Sequence, residues 1–292
     1  MPVVVIEAAA PVGSWRPPEA LTYHRTLPLP PYTTLVGLLG AALGLGLPDA
    51  YRFVDEGGLR IGVGGWHEGE LRDLWKFQKL GDKEVKADVL LRECWTDVRL
   101  ALVVETPDAK TAAMIADAFR SPAFPLTAGP SDALLKAVAV RVDDAQPIAT
   151  RVLAHALIFR EISPKYELHE SLLEIPFHRV IRAPAIERLP VGFAFEPDGR
   201  RRLLGRDMVS FVADAIELAG DDEAIAGYVV EPQSRILRRS RTFSTWKEGL
   251  KWTIPVHRYD STPTRVEGSS TTPSPSGQTL RKDRKDKPTE NT

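Results

Sequence analysis

Cysteine is almost absent. Cys94 is the single cysteine in 292 residues, which excludes an internal disulfide and a zinc site built from several thiolates. That usage suits a reducing compartment. Long apolar runs are also missing, since nothing approaches the roughly 20 residues that cross a bilayer as a helix. The opening MPVVVIEAAAPVG lacks a basic start, is too short for a signal core and is broken by Glu7. A cytoplasmic protein with no membrane partner is therefore expected. Charge of one sign is lacking as well: the formal net charge is -1, so only local patches can identify a partner.

Several chemical signatures are missing too. There is no Gly-x-x-x-x-Gly-Lys-Ser/Thr loop for phosphates, and the glycines of GLLGAALGLG do not follow dinucleotide spacing. The turn GPSDA at Gly129–Ala133 is no nucleophile elbow. Its Gly129-Pro130 reads as a turn, with Ser131 or Asp132 capping a short helix, ALLKA. His24, His67, His155, His169, His178 and His257 are scattered without a paired spacing, and His155, inside an apolar run, reads as a core histidine. No metal and no cofactor are expected. No internal repeat of about 20–50 residues is visible.

What is present reads as an α+β chain. Val3–Ala10 is a buried strand. A helix follows, N-capped at Thr33 or Thr34 and blocked behind by Pro30 and Pro31, with Leu35, Val36, Leu38, Leu39, Ala42 and Leu43 at helical spacing. LRIGVGG (Leu59–Gly65) and VRLALVVE (Val98–Glu105) are two more strands. Pro107 opens the helix DAKTAAMIADAFR, and AVAVRV (Ala137–Val142) alternates as a half-buried strand. The resulting order, β-α-β-β-α-β, is that of a ferredoxin-like, RRM-like domain over residues 1–145. The connection from Trp66 to Trp95 is longer than a plain loop and reads as a projecting hairpin arm.

Residues 146–260 read as a smaller β-rich part. Strands are expected in RVLAHALIFREI from Arg151, FHRVIRAPAIERLPVGFAFEP from Phe177, AIAGYVVEP from Ala224 and KWTIPVHRY from Lys251, with a helix in RDMVSFVADAIELA from Arg206. From about Ser261 to Thr292 large apolar residues nearly vanish, and a disordered tail is expected.

The positive functional signal is basic and aromatic. Trp15 and Arg16 leave the first strand, and Tyr23, His24 and Arg25 follow. Trp75, Lys76, Phe77, Lys79, Lys83 and Lys86 populate the arm, with Arg92 at its base. RILRRSR holds Arg235, Arg238, Arg239 and Arg241, and GRRRLLGR (Gly199–Arg206) is a second cluster. Cationic side chains pair with phosphates while aromatic faces and guanidinium planes stack on unpaired bases. This suits single-stranded nucleic acid. The expected RNA contacts are Trp15, Arg16, Tyr23, Arg25, Lys76, Lys79, Lys83, Lys86, Arg92, Arg235, Arg238 and Arg239.

The stretch GSWRPPEALTYHRTLPLPPYTTLVGLLGAALGL resembles the N-terminal signature of the fifth family of CRISPR-associated proteins, in the RAMP superfamily. The likeness rests on Trp15-Arg16 and on Pro30-Pro31-Tyr32-Thr33-Thr34-Leu35-Val36-Gly37-Leu38-Leu39-Gly40. Arg92-Glu93 in LLRECWTDVRLALVV, and Pro125, Gly129, Ser131 and Asp132 in FPLTAGPSDALL, add to it over roughly residues 1–145. The resemblance implies a ferredoxin-like fold and a non-catalytic subunit of a type I surveillance complex (Cascade). Such a subunit caps the 5′ handle of the CRISPR RNA, contacts the large subunit and the repeating backbone subunit, and meets target DNA only through the complex. The Trp66–Trp95 arm stands where the family has a thumb-like hairpin. One branch of the family instead cuts repeat RNA without metal. Tyr23, His24 and Arg25 would be the catalytic groups in that case, although that branch's lysine-histidine pair has no match here.

Overall fold

Alternation in PVVVIEAAAPVG splits the first strand between two cores. The computed structural model describes residues 1–80, 85–162, 166–169, 181–220, 224–238 and 251–258, so the tail expected from 261 lies outside the described residues. In β1 (Pro2–Gly13), Val4, Ile6 and Ala8 face one apolar cluster while Val3 and Val5 face another. Successive strand side chains point to opposite faces, so a strand apolar on both sides sits between two buried layers.

After a two-residue strand, β2 (Tyr23–His24), come the helices α1 (Tyr32–Leu43) and α2 (Leu47–Glu56). The helix expected from Thr33 or Thr34 is α1, but its cap is Pro31, with no side-chain cap. Strand β3 (Arg60–Trp66) precedes the expected arm, which is a two-stranded hairpin of β4 (Gly69–Leu80) and the 21-residue β5 (Val85–Glu105). These two pair in continuous antiparallel register from Gly69↔Thr96 to Leu80↔Val85. Helix α3 (Ala109–Arg120) starts at Asp108, whose carboxylate accepts from Thr111 N at 2.8 Å. It buries Ala112, Ile115, Ala116 and Phe119, the spacing of one helix face. Strand β6 (Lys136–Asp144) closes this half. No helix forms at ALLKA, because Leu134 bridges to Thr127 and β6 begins at Lys136.

The remaining elements are β7 (Ile148–Thr150), β8 (Val152–Leu153), β9 (Ala156–Ile158), β10 (Tyr166–Leu168), β11 (Ala185–Phe195), β12 (Arg201–Val212), β13 (Ile216–Leu218), β14 (Ile225–Val229), α4 (Arg235–Arg238) and β15 (Thr253–Pro255). The helix expected from Arg206 is instead the end of β12 and β13. Val209, Ser210, Phe211 and Val212 are buried consecutively; Ser210–Val212 pair with β9, and Ser210 and Phe211 also pair with β11 on the other side. A ladder on both edges outweighs helical spacing read from one segment.

The architecture is mixed α/β, mostly antiparallel with few helices. Among the described residues the main sheet has nine strands, ordered β11-β12-β9-β3-β5-β1-β6, with β2 and β4 also paired to β5. The larger core lies on the face covered by α1, α2 and α3. On the other face Tyr228, Val230, Leu237, Trp252 and Ile254 pack on Val3, Val5, Trp66, Ala101 and Val103. Each fully buried large apolar side chain stabilises by about 1.5–3 kcal/mol.

Candidate nucleic-acid interface

The segment from Ser14 to Pro31 is fixed at its root by groups that lie far apart in sequence. Ser14 N donates to Ala128 O (2.9 Å) and Ser14 Oγ to Glu93 O (2.8 Å). Trp15 N donates to Thr26 Oγ1 (2.9 Å) and Leu27 N to Trp15 O (2.8 Å), which closes the loop. Trp95 Nε1 then holds Leu27 O at 2.8 Å. Trp15 is 3% exposed and belongs to the main core. It therefore presents no open face to a base. Its expected contact role is replaced by that of an anchor, because the apolar indole lowers free energy more by burial than by exposure.

Glu93 organises the far side of the loop. One carboxylate oxygen accepts from the Tyr23 hydroxyl, the other from Thr26 N at 3.2 Å. The bond to Glu93 raises the Tyr23 pKa, and the phenol stays protonated at neutral pH. Arg25 makes a two-pronged pair with Glu187, at 2.6 and 2.8 Å, which raises its pKa. His24 is buried, stands 5.9 Å from the Trp75 ring, and lies 3.0 Å by Nε2 from Arg16 Nη1. Burial, then Arg16 and Arg92, depress its pKa, so the ring is neutral at pH 7 and accepts from Arg16. Tyr23, His24 and Arg25 are thus committed to three different partners.

Arg92, expected to touch RNA, is instead 9% exposed and neutralised. Its guanidinium donates to Asp73 at 2.6 Å and to Asp132 at 3.0 and 3.2 Å, and sits 5.7 Å from the Trp75 ring centroid. The hydrogen bond to Asp132, more than that to Asp73, raises its pKa. Two carboxylates on one guanidinium leave little field for a phosphate, so Arg92 acts as a strut beneath Trp75. The Arg92-Glu93 step and the Gly129–Asp132 turn therefore meet at the root of the loop.

Three groups at this end are exposed. Arg16 is exposed with a neutral partner, Lys76 is exposed on β4, and Trp75 is 39% exposed. Trp75 was missing from the expected contacts, although its position opposite Leu90 on the hairpin, two residues from Asp73, follows from alternation. Lys83 and Arg239 lie outside the described residues, as do the side chains of Lys79 and Lys86. Arg235 and Arg238 are exposed on α4, whose Leu237 packs on the sheet face opposite the main core, so the structure does not bring them to the loop.

Two clefts flank the loop. One, of about 540 Å³, lies below the start of α1 and is lined by Arg16, Thr33, Tyr51, Phe193, Arg201 and Arg206 among others. The other, of about 520 Å³, is lined by Trp66, His67, Trp95, Arg182, Phe211 and Asp214 among others. There His67 stacks on Trp95, ring centroids 3.8 Å apart. Burial, then Arg182, lowers the His67 pKa to about 4. The native state then binds fewer protons than the unfolded chain between pH 6.5 and 4, so stability falls as pH drops through that window. His24 and His257, also lowered by burial, act in the same direction. His67 alone is expected to cost up to about 2 kcal/mol at pH 5 relative to pH 7. Urea midpoints at the two pH values check this, and His67→Gln should shrink the difference.

A family model described as CRISPR-associated protein (Cas_Cas5) matches residues 3–183. No curated protein matches. Among solved structures the chain is similar to one described as a Cas protein, at 24% identity and TM-score 0.30, over 44% of this chain and 57% of that one. It is also similar to a chain of a CRISPR RNA-guided surveillance complex, at 18% identity and TM-score 0.47, over 83% and 98% of the two chains. A CRISPR protein from Archaeoglobus fulgidus is similar at 13% identity and TM-score 0.40, over 76% and 94%. The chain thus spans a little over half the length of the first of these and nearly all of the second. Because the family match takes in more than half of the residues, including the loop, the arm and the turn that meet at its root, the chain belongs to the fifth family of CRISPR-associated proteins.

Proposed function

We propose that this chain is a non-catalytic RNA-binding subunit of a type I CRISPR surveillance complex in the cytoplasm. It caps the 5′ handle of the guide RNA and joins the large subunit to the backbone subunits. Target sequence is then read by guide pairing and not by this chain. The sheet order β3-β5-β1-β6 with helices on one face supports the ferredoxin-like reading of the N-terminal half.

The observation that carries the proposal is the partly exposed Trp75 on the hairpin, backed by Arg92, with Arg16 reaching it through His24 and Lys76 exposed on the other face of β4. An indole held by a neutralised guanidinium is a rigid platform for an unpaired base, and the two exposed cations, neither paired with a carboxylate among the described residues, suit phosphates. Trp75→Ala is expected to weaken repeat-RNA binding by about tenfold or more, given stacking worth about 1–3 kcal/mol per base. Filter binding measures this, and an unchanged affinity would remove Trp75 from the interface.

A neutral His24 beside a guanidinium is the observation that favours the second reading, metal-independent cleavage, since such a pair can supply a base and a cation. End-labelled repeat RNA incubated in EDTA and split between native and denaturing gels separates the two readings. A shift with intact RNA is expected. A discrete product lost in His24→Ala would instead make the chain a guide-processing nuclease.

A further inference from the structure

We infer that the cleft below the start of α1 is a phosphate subsite, binding one phosphate group of the RNA strand through Arg16, Arg201, Arg206, Tyr51 and the first turn of α1. The inference rests on the RNA-binding reading and deepens it.

Four features point the same way. The first N–H groups of a helix lack intrahelical partners, and the aligned peptides make that end electropositive; in α1, where Thr34 N already donates to Pro31 O, these are Tyr32 N and Thr33 N. In α1 the N-cap is Pro31, which offers no side-chain acceptor, and the first turn holds no acidic residue. Among the described residues the lining includes three arginines and no carboxylate. Arg206 pairs with Glu19 at the rim, but Arg16 meets only neutral His24 among the described residues. Arg201, held 5.1 Å from the Phe193 ring centroid, has no ion pair among the described residues.

Tyr51 is the independent sign of a ligand. It is 5% exposed, and its hydroxyl has no hydrogen-bond partner among the described residues. Its ring is held by Phe193 and Phe195, at centroid distances of 6.1 and 5.7 Å, so it lines the cleft in one orientation. A buried hydroxyl without a partner costs free energy, and an anion in the cleft supplies the missing acceptor. Burial raises the phenol pKa, so Tyr51 remains a donor at any working pH. Arginine forks and helix N-termini both match phosphate oxygens in geometry and charge.

The test uses the full chain with Tyr51→Phe, which keeps the ring packing, and Arg201→Gln. Repeat RNA bearing a 5′-hydroxyl or a 5′-phosphate is titrated at several salt concentrations, and inorganic pyrophosphate is titrated by calorimetry. RNA affinity is expected to fall by about tenfold in Arg201→Gln, with the salt slope reduced by about one. A smaller loss is expected in Tyr51→Phe, at unchanged thermal midpoint. A preference for the 5′-phosphate that disappears in Arg201→Gln assigns the cleft to a terminal phosphate. Equal affinity for both RNAs, with both variants weakened, assigns it to an internal diester. The subsite is overturned if both variants keep wild-type affinity and slope and pyrophosphate gives no heat. If wild type ignores RNA yet binds pyrophosphate, and Arg201→Gln does not, the subsite stands and the RNA reading falls.

Discussion

Gly129→Ala is expected to destabilise the fold by about 3 kcal/mol or more and to lower RNA affinity with it. Gly129 has φ +101°, and a Cβ there would lie 1.7 Å from Ser14 O and 3.4 Å from the Trp15 ring. The left-handed backbone alone costs an alanine about 1–2 kcal/mol. The clash adds more, because Ser14 cannot retreat without losing its bonds to Ala128 and Glu93. Its displacement would loosen Trp15 and the whole loop. Gly199→Ala is the control: φ is +82°, but nothing lies within 4 Å of its Cβ. Urea unfolding of the two variants should therefore differ by the clash, and equal losses would show that Gly129 is needed only for its backbone angle.

The second large effect is expected at Glu7, which is fully buried in β1. Its carboxylate accepts from Gln233 N (2.6 Å), Ser234 N (2.8 Å) and Arg141 Nη1 (3.2 Å). Glu7→Ala strands two amides and a guanidinium whose other partner is Asp143. Breaking such a buried pair costs about 3–5 kcal/mol. Glu7→Gln, which keeps one acceptor, should cost less. The loss should appear locally as faster hydrogen exchange at Gln233 and Ser234, since Glu7 pins the segment leading into α4. If those amides exchange at wild-type rates in Glu7→Ala, another contact holds the segment.

Legibility in the sequence followed where a single periodicity ruled. β1, β3, β6 and α3 each carry an apolar pattern of one period, interrupted in β1 only by Glu7, and so are legible to within a few residues. Helix α2 is masked in the sequence by Gly44 and Gly46, although Ala50, Tyr51 and Val54 share one face. At the end of β12 MVSFV fits helical spacing as well as a strand buried on both sides, and only the pairing with β9 and β11 decides. At the site, the Trp15-Arg16 dipeptide splits in two, with the indole in the core and the guanidinium outside. Nothing local foretells this, because the Gly129 turn that receives Trp15 lies over 100 residues away. The same limit hid the neutralisation of Arg92, since Asp73 and Asp132 approach it from separate elements.

The second core, on the sheet face away from the helices, has a consequence for how RNA can lie on this protein. RRM domains stack bases directly on the open face of a four-stranded sheet. Here that face is sealed by Tyr228, Trp252 and Ile254, which pack against Trp66 and the outward valines of β1. On the proposed function, the flat of the sheet is thus closed to a guide strand, which leaves its perimeter: the hairpin, the loop and the mouth of the α1 cleft. A strand proposed to bind there would be held along a rim, with its bases not stacked on the sheet.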